Sequence, residues 1–313
     1  MIFGGTRGLP LATEICDLMG MSVGPRNLGR FGDKEVQLEI TENVRGQDVF
    51  IVNQASAPAE DIVETVFLAR TAAMSSAARV TLVIPYLGYN RQERKDRSRV
   101  PISAKIVIEM LKVSHANRVL LLDLHSAATA AHFEPELVHD HLYAAKITVP
   151  YLSKLMTGNY VVASPDVGGV PRARKYGEHL GEDRLVIFDK RRPRPGQVDQ
   201  KKIRVIGDVR NKDVLFIDDV IDSAGTLIAC GLKAKEKGAK DLYACVTHAL
   251  FSKGLEVFPR GLFTEIVVTN STGVPSEQFK SNLVRVTSLS IAPLMRDAIS
   301  RLHEDISLGK LFL

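Results

Sequence analysis

The chain has 313 residues, of which 45% are hydrophobic and 25% charged, and its formal net charge is +5. This balance is typical of a globular protein, and the length predicts two domains, since one domain takes roughly 100–200 residues. The sequence has no run of the ~18 apolar residues that a membrane-spanning helix needs, and its N-terminus lacks the pattern of a secretory signal. We therefore expect no membrane partner.

Short apolar strands alternate with helical segments along the chain. Predicted strands cover residues 48–53, 79–85, 118–123, 160–164, 184–188, 212–218, 242–247 and 263–269. Predicted helices cover residues 58–78, 101–112, 168–180 and 225–237, with Ser103 and either Asp222 or Ser223 as capping residues near helix starts. Several strands are apolar on consecutive residues, as buried parallel strands are. Residues 35–40 alternate instead, which predicts an antiparallel strand with one wet face.

This order of elements predicts an α/β fold. Strands that alternate with helices form mainly parallel sheets flanked by helices. The pattern runs through both halves and weakens near residues 144–150, so we expect two similar domains, residues 1–146 and residues 147–313. In such sheets ligands bind beyond the carboxyl ends of the strands, so functional residues should directly follow the apolar runs.

The sharpest local signal lies in residues 214–226. An apolar strand ends in Asp218 and Asp219, and a small, hydroxyl-rich turn then opens a helix. Ser223, Gly225 and Thr226 can surround an anion with hydroxyls and backbone N–H groups at a positive helix N-terminus, while the carboxylates suit sugar hydroxyls. The segment predicts a site for a ribose phosphate. The alternative is a helix cap with two solvated aspartates.

Two stretches, residues 91–99 and 190–194, hold dense positive charge. Neither interleaves aromatic residues as a base-stacking surface would, and the chain has no tryptophan. A nucleic-acid binder remains an alternative that rests on charge alone. Because each stretch follows a strand, we favour a small substrate that carries phosphates and expect no nucleic-acid partner.

The acidic turn resembles the phosphoribosyl pyrophosphate motif shared by type I phosphoribosyltransferases and ribose-phosphate pyrophosphokinases. Further segments separate the two families: residues 31–35, 85–105, 123–126, 164–169 and 189–195. In this order, and over essentially the whole chain, they resemble the ribose-phosphate pyrophosphokinase family. The resemblance implies two phosphoribosyltransferase-type domains and a Mg²⁺-dependent transfer of the diphosphoryl group of ATP to the C1 hydroxyl of ribose 5-phosphate. It also implies a homo-oligomer, commonly a hexamer built from dimers.

The resemblance assigns a role to each matching residue. ATP binding falls to Phe31, Asp33, Lys34, Glu35, Arg91, Gln92, Asp96 and His125. Ribose 5-phosphate binding falls to Arg192, Asp218, Asp219, Asp222, Ser223, Ala224, Gly225 and Thr226. The pyrophosphate loop comprises Asp166, Gly168 and Gly169, and the implied Mg²⁺ ligands are His125 and Asp166. Lys190 and Arg192 are the implied catalytic residues, whose cations would hold the charge that develops as the bond from the β-phosphorus to AMP breaks.

Two alternatives within the same fold class stay open. A non-catalytic regulatory paralogue is disfavoured because both basic stretches are uninterrupted, and a phosphoribosyltransferase is disfavoured by the ATP segments. The three cysteines, Cys16, Cys230 and Cys245, lie far apart inside apolar runs, as is usual in a reducing compartment. We therefore expect a cytoplasmic protein.

Overall fold

The computed structural model describes residues 1–190 and 203–312, without the side chain of Lys190, and it divides into two compact units. The first unit comprises Met1–Tyr143, Ser271–Gly273 and Ile291–Leu313. The second unit comprises Ala144–Asn270 and Val274–Ser290. Each unit contains a mainly parallel sheet with helices, which confirms the predicted α/β fold.

In the first unit, the described residues form a five-stranded parallel sheet. In spatial order its strands are β1 (Ile2–Gly4), β4 (Asp48–Val52), β5 (Arg79–Ile84), β6 (Arg118–Leu122) and β7 (Val138–Leu142). The helices of this unit are α1 (Leu9–Met19), α2 (Glu60–Met74), α3 (Ser103–Lys112) and α7 (Ala292–His303). The central strands are buried on both faces, which explains their consecutive apolar residues.

A separate hairpin joins β2 (Arg26–Arg30) to β3 (Val36–Ile40) in an antiparallel pair. Along β3, half-buried and exposed residues alternate, so one face lies towards the unit and the other towards water. Leu38 and Ile40 pack against the apolar core. The antiparallel strand predicted at residues 35–40 is confirmed.

The second unit contains a seven-stranded sheet. Its spatial order is β10 (Ile203–Ile206), β9 (Leu185–Lys190), β8 (Tyr160–Ser164), β11 (Asp213–Ile221), β12 (Leu242–Ala249), β13 (Glu265–Thr269) and β14 (Val286–Leu289). All pairs are parallel except β9 with β10. The helices are α4 (Ala145–Leu155), α5 (Val170–Leu180) and α6 (Gly225–Glu236).

The end of the chain corrects the predicted domain division. The prediction placed everything from residue 147 onward in the second domain, but Ile291–Leu313 belongs to the first unit. The reason is packing, because α7 lies against α1 and buries Leu294, Met295 and Ala298. Nothing local in the sequence signals this return of the chain.

Two predicted helix caps are wrong. Ser103 is the first residue of α3 rather than its cap, and its hydroxyl donates to Gln92 Oε1 at 2.6 Å. The cap of α6 is Ala224, not Asp222 or Ser223, because the helix begins at Gly225, as predicted, and the residue before it takes the left-handed conformation. In the described part of the chain, no helix is long and apolar enough to cross a membrane.

Candidate active-site residues

The acidic pair lies on β11 of the second unit. β8 pairs with this strand only as far as Phe216, whereas β12 accompanies it to Ile221. Asp218 and Asp219 therefore lie within the strand, on the part that passes the end of β8. The predicted strand end at Asp218 is corrected accordingly, because pairing with β12 extends the strand through both acids.

Asp219 is not a solvated side chain. It is 3% exposed, and its Oδ1 lies 3.1 Å from Nη1 of Arg172 on α5. The backbone N–H of Asp219 donates to Asp218 Oδ1 at 3.0 Å. Burial raises the pKa of Asp218 well above its ordinary value, and the negative charges of Asp219 and Asp166 raise that pKa further. The alternative of two solvated aspartates is therefore wrong for Asp219.

The turn that follows β11 is shaped for an anion. Ala224 has φ +58°, in the left-handed region, and caps α6 without a side-chain oxygen. Ser223 and Gly225 are exposed, and Thr226 is half-buried. The Asp222 carbonyl accepts from the backbone N–H of Ser252 at 3.1 Å and so fixes the entrance of the turn. The exposed turn thus lies at the positive N-terminus of α6.

A second glycine-containing turn joins β8 to α5. The backbone N–H of Gly169 donates to Asp166 Oδ1 at 2.9 Å, and the Ser164 hydroxyl donates to the Asp166 carbonyl at 2.7 Å. A Cβ on Gly169 would lie 2.8 Å from Ser164 Oγ, so the tight turn needs a glycine there. Gly168 is exposed beside it. The turn presents a short, side-chain-free backbone segment at the start of a helix.

The hairpin of the first unit presents the predicted adenine-binding residues at its tip. Residues 31–35 are all exposed, with 51% of the Phe31 surface open to solvent. The Phe31 N–H donates to the Glu35 carbonyl at 2.9 Å, and the Glu35 N–H donates to Asp33 Oδ1 at 3.0 Å. Lys34 takes φ +76° and closes the turn. The tip therefore displays an exposed ring beside two carboxylates on an ordered backbone.

The loop between β5 and α3 carries Arg91, Gln92 and Asp96. Gln92 is half-buried and accepts the hydrogen bond from Ser103, while Arg91 and Asp96 are exposed. Just before them, Asn90 is 4% exposed and its Oδ1 accepts from the Thr129 hydroxyl at 2.5 Å. The base of the loop is thus tied to the turn that follows β6.

His125 lies in that turn after β6. It is exposed, and it follows Asp123, which has φ +39° and is 5% exposed. The backbone N–H of Leu124 donates to His141 Nε2 at 2.9 Å, which fixes the segment immediately before His125. The exposed imidazole therefore stands on a well-anchored backbone.

Two predicted catalytic residues have no described side chain. Lys190 is the last residue of β9, and Arg192 lies outside the described residues. One residue that the sequence analysis missed is Arg172, which neutralises part of the acidic pair. Its position within the first turn of α5, just past the Gly168–Gly169 pair, was the available signal.

The donor chemistry of these residues fits Mg²⁺ bound largely through substrate. In residues 1–190 and 203–312, no group of three or more His, Cys, Asp or Glu side chains is arranged to hold a metal by itself. Mg²⁺ commonly uses one or two carboxylates and completes its shell with phosphates and water. Asp166 uses one carboxylate oxygen in a single hydrogen bond, which leaves lone pairs for a cation. A cation beside Asp166 would also relieve the repulsion that raises the Asp218 pKa.

Comparison with known proteins shows the family of the chain. Residues 1–114 match the family model of the N-terminal domain of ribose phosphate pyrophosphokinase. Residues 169–313 match that of the phosphoribosyl synthetase-associated domain.

Full-length relatives extend this match. The ribose-phosphate pyrophosphokinase of Bacillus caldolyticus is 38% identical over 313 residues, which cover 99% of this chain and 97% of that protein. The enzyme of the same name from Clostridium tetani is 39% identical over 320 residues, with 99% and 96% covered. The crystal structure of phosphoribosylpyrophosphate synthetase from Mycobacterium smegmatis matches with a TM-score of 0.88 at 30% identity, over 97% of this chain and 99% of that one. Because the similarity spans nearly the whole chain, this protein belongs to the ribose-phosphate pyrophosphokinase family of enzymes.

Proposed function

We propose that this protein transfers the β,γ-diphosphoryl group of ATP to the C1 hydroxyl of ribose 5-phosphate. The products would be 5-phosphoribosyl 1-pyrophosphate and AMP. The observation that carries the proposal is the acidic strand and turn from Asp218 to Thr226, in a chain that belongs to this family. The half-buried Asp218 and the buried Asp219, followed by the exposed turn at a helix N-terminus, offer both halves of a sugar phosphate a complementary partner.

Ribose 5-phosphate would bind at this turn. Asp218 and Asp219 would receive hydrogen bonds from sugar hydroxyls, with Asp222 beside them. Ser223, Ala224, Gly225 and Thr226 would surround the 5-phosphate with hydroxyls and backbone N–H groups at the start of α6. Arg172 supports this assignment because its contact with Asp219 holds that carboxylate in place.

ATP would bind through exposed residues of the first unit. The Phe31 ring would stack on the adenine, and Asp33 and Glu35 would accept from its exocyclic amine, with Lys34 between them. Arg91 suits the triphosphate oxygens because a guanidinium donates in a planar fork. Gln92, Asp96 and His125 would complete the set of nucleotide contacts.

The reaction would need a divalent metal and a set of fixed cations. We assign the protein ligands of Mg²⁺ to Asp166 and His125, and bound Mg²⁺ would offset negative charge on the phosphates. Gly168 and Gly169 would let backbone N–H groups approach the diphosphoryl group closely. Lys190 and Arg192 would stabilise the charge that develops on the AMP oxygen as the bond to the β-phosphorus breaks.

A single assay tests the proposal. Purified protein is incubated with ATP, Mg²⁺ and ribose 5-phosphate, and AMP and 5-phosphoribosyl 1-pyrophosphate are measured by anion-exchange chromatography. We expect equal amounts of both products, and none when ribose 5-phosphate is omitted. Absence of AMP would contradict the proposal and favour a regulatory paralogue. Consumption of 5-phosphoribosyl 1-pyrophosphate with a nucleobase, in place of its synthesis, would favour a phosphoribosyltransferase.

We also propose that the protein acts as a homo-oligomer. This assignment rests on family membership, and the mass of the protein in solution tests it. A mass of about 34.4 kDa, that of one chain, would contradict it.

A further inference from the structure

The hairpin formed by β2, residues 31–35 and β3 needs an external anchor. Its two strands pair only with each other and form a sheet of their own within the described residues. A two-stranded hairpin is marginally stable in water at best, so its position depends on what it packs against. β3 packs against α2.

The two ends of this hairpin are anchored differently. Leu38 and Ile40 pack on the apolar core, and their register partners in β2 are Leu28 and Arg26. The pair that adjoins the turn is Arg30 with Val36. Apolar packing holds the end far from the turn, where the half-buried Arg26 also interacts with the charge of Glu64. The end that carries Phe31 is held through Arg30.

Arg30 reaches a carboxylate that is completely buried. Its Nη2 lies 2.6 Å from Oε1 of Glu64, a residue of α2 with 0% exposure. Glu64 also accepts from the Thr6 N–H at 2.8 Å and from the Thr6 hydroxyl at 2.9 Å. A buried carboxylate is costly unless it is fully paired, so the position of Glu64 depends on these three donors.

Glu64 is not one of the proposed ATP-binding residues, but its partner Arg30 adjoins them. From α2 it fixes the loop after β1 through Thr6 and the turn end of the hairpin through Arg30. Because Arg30 immediately precedes Phe31, its anchoring limits how far the tip can move. We propose that Glu64 is a positioning residue for ATP, which acts through Arg30 on the turn that carries Phe31, Asp33 and Glu35. This inference rests on the proposed nucleotide role of that turn.

The variant Glu64→Gln tests this role. It keeps a carbonyl that can accept from Thr6 but removes the charge that binds Arg30. We expect the KM for ATP to rise about tenfold, as for a lost hydrogen bond between charged groups, while kcat at saturating ATP and the KM for ribose 5-phosphate stay close to those of the wild type. Hydrogen exchange of residues 31–40 in the free protein should become faster.

A second variant and a control make the result specific. Arg30→Met removes the same ion pair by changing its partly exposed partner, and it should cause the same changes in KM and hydrogen exchange as Glu64→Gln. The KM for ATP of the double variant should be no higher than that of the more impaired single variant, since both changes remove the same interaction. Asp140→Asn breaks the Arg118–Asp140 ion pair in the five-stranded sheet of the same unit and should leave the KM for ATP and the hairpin exchange unchanged.

Distinct outcomes separate this inference from the proposed function. Unchanged KM for ATP and unchanged exchange in an active Arg30→Met variant would overturn the role of Glu64, even if Glu64→Gln does not fold. An equal loss in kcat and in both KM values would mean that Glu64 is only structural, and would overturn it as well. If the wild type makes no AMP, the proposed function fails, and equilibrium dialysis with labelled ATP together with hairpin exchange still decides the role of Glu64.

Discussion

Arg79 on β5 donates to both carboxylate oxygens of Asp48 on the neighbouring strand β4, over 3.0 Å from Nε and 2.5 Å from Nη2. The same Nη2 donates to the Leu302 carbonyl at 2.6 Å, and His303 Nδ1 lies 3.0 Å from Asp48 Oδ2. Asp48 and Arg79 thus fasten the end of α7 to the sheet of the first unit. This contact explains how the end of the chain is held in a unit that its beginning forms.

Loss of the Asp48 carboxylate should destabilise the first unit. Burial by itself would raise the pKa of Asp48, but hydrogen bonds from Arg79 and His303 hold that pKa below its ordinary value of 3.8. We expect Asp48→Asn to lower the free energy of unfolding by about 3 kcal/mol at pH 7, measured by urea denaturation. Asp305→Asn is the control, since Asp305 is 79% exposed and its pair with Arg79 should contribute less than about 1 kcal/mol.

The same pair sets a pH dependence. A carboxyl whose folded pKa is depressed contributes stability above its unfolded pKa and loses it as the pH falls through the folded value. The Asp48 contribution should therefore persist at neutral pH and disappear below about pH 3.8. If the wild type and Asp48→Asn already had the same free energy of unfolding at pH 6, this assignment would be contradicted.

Asp61 on α2 predicts the opposite pH dependence. Burial raises its pKa to about 6, although the positive charge of Arg7, 3.2 Å away, opposes the shift. A raised folded pKa gives stability that is present below the unfolded value of 3.8 and is lost as the pH rises through 6. We expect the melting temperature of Asp61→Asn to rise relative to that of the wild type between about pH 4 and pH 6, with little further change above this range. Parallel melting curves over this range would contradict the raised pKa.

The turn before α6 should be sensitive to the residue at position 224. Ala224 has φ +58° and is 5% exposed, so a β-branched side chain there meets both strain and neighbouring atoms. Ala224→Val should lose about 1–2 kcal/mol of stability and raise the KM for ribose 5-phosphate. Ala224→Gly removes the strain and should keep the wild-type KM. Equal KM values for ribose 5-phosphate in both variants would mean that this turn does not bind the sugar phosphate.

Lys190 is proposed to act on the departing AMP oxygen. We expect Lys190→Ala to lower kcat by about 10²–10³-fold, as removal of one transition-state donor does, while ATP binding measured by equilibrium dialysis is retained. Lys154→Ala removes an exposed lysine of α4 and serves as the control. A Lys190→Ala variant with wild-type turnover would remove this residue from the mechanism.

The sequence predicted most of the strands whose residues are apolar without interruption. The strand predicted at residues 160–164 is β8, with the same bounds. Strand β7 was missed because three of its five residues, His139, Asp140 and His141, are polar. Among the strands that the structure describes, it lies at the sheet edge and pairs with β6 alone. Strand β11 was cut short at its acids because its extension depends on β12, which lies elsewhere in the sequence.

The parts of the candidate site that could be predicted are those formed by residues adjacent in sequence. Residues 31–35 and 222–224 lie where strand and helix patterns change, and the structure has turns at both positions. Arg172 and Glu64 were missed because their partners are distant in sequence. A signal for Glu64 existed, however, since it lies on the buried face of α2 with Ile62, Thr65 and Leu68, where an acid needs an explanation.

The return of α7 to the first unit also affects folding during synthesis. The ribosome releases the strands of that unit early, but the helix that covers α1 emerges only after the whole second unit. The second unit, which is continuous except for Ser271–Gly273, can fold before the first is complete. Until α7 emerges, the apolar surface opposite Leu294, Met295 and Ala298 stays uncovered, and a nascent chain stalled before Ile291 would be a preferred target for chaperones.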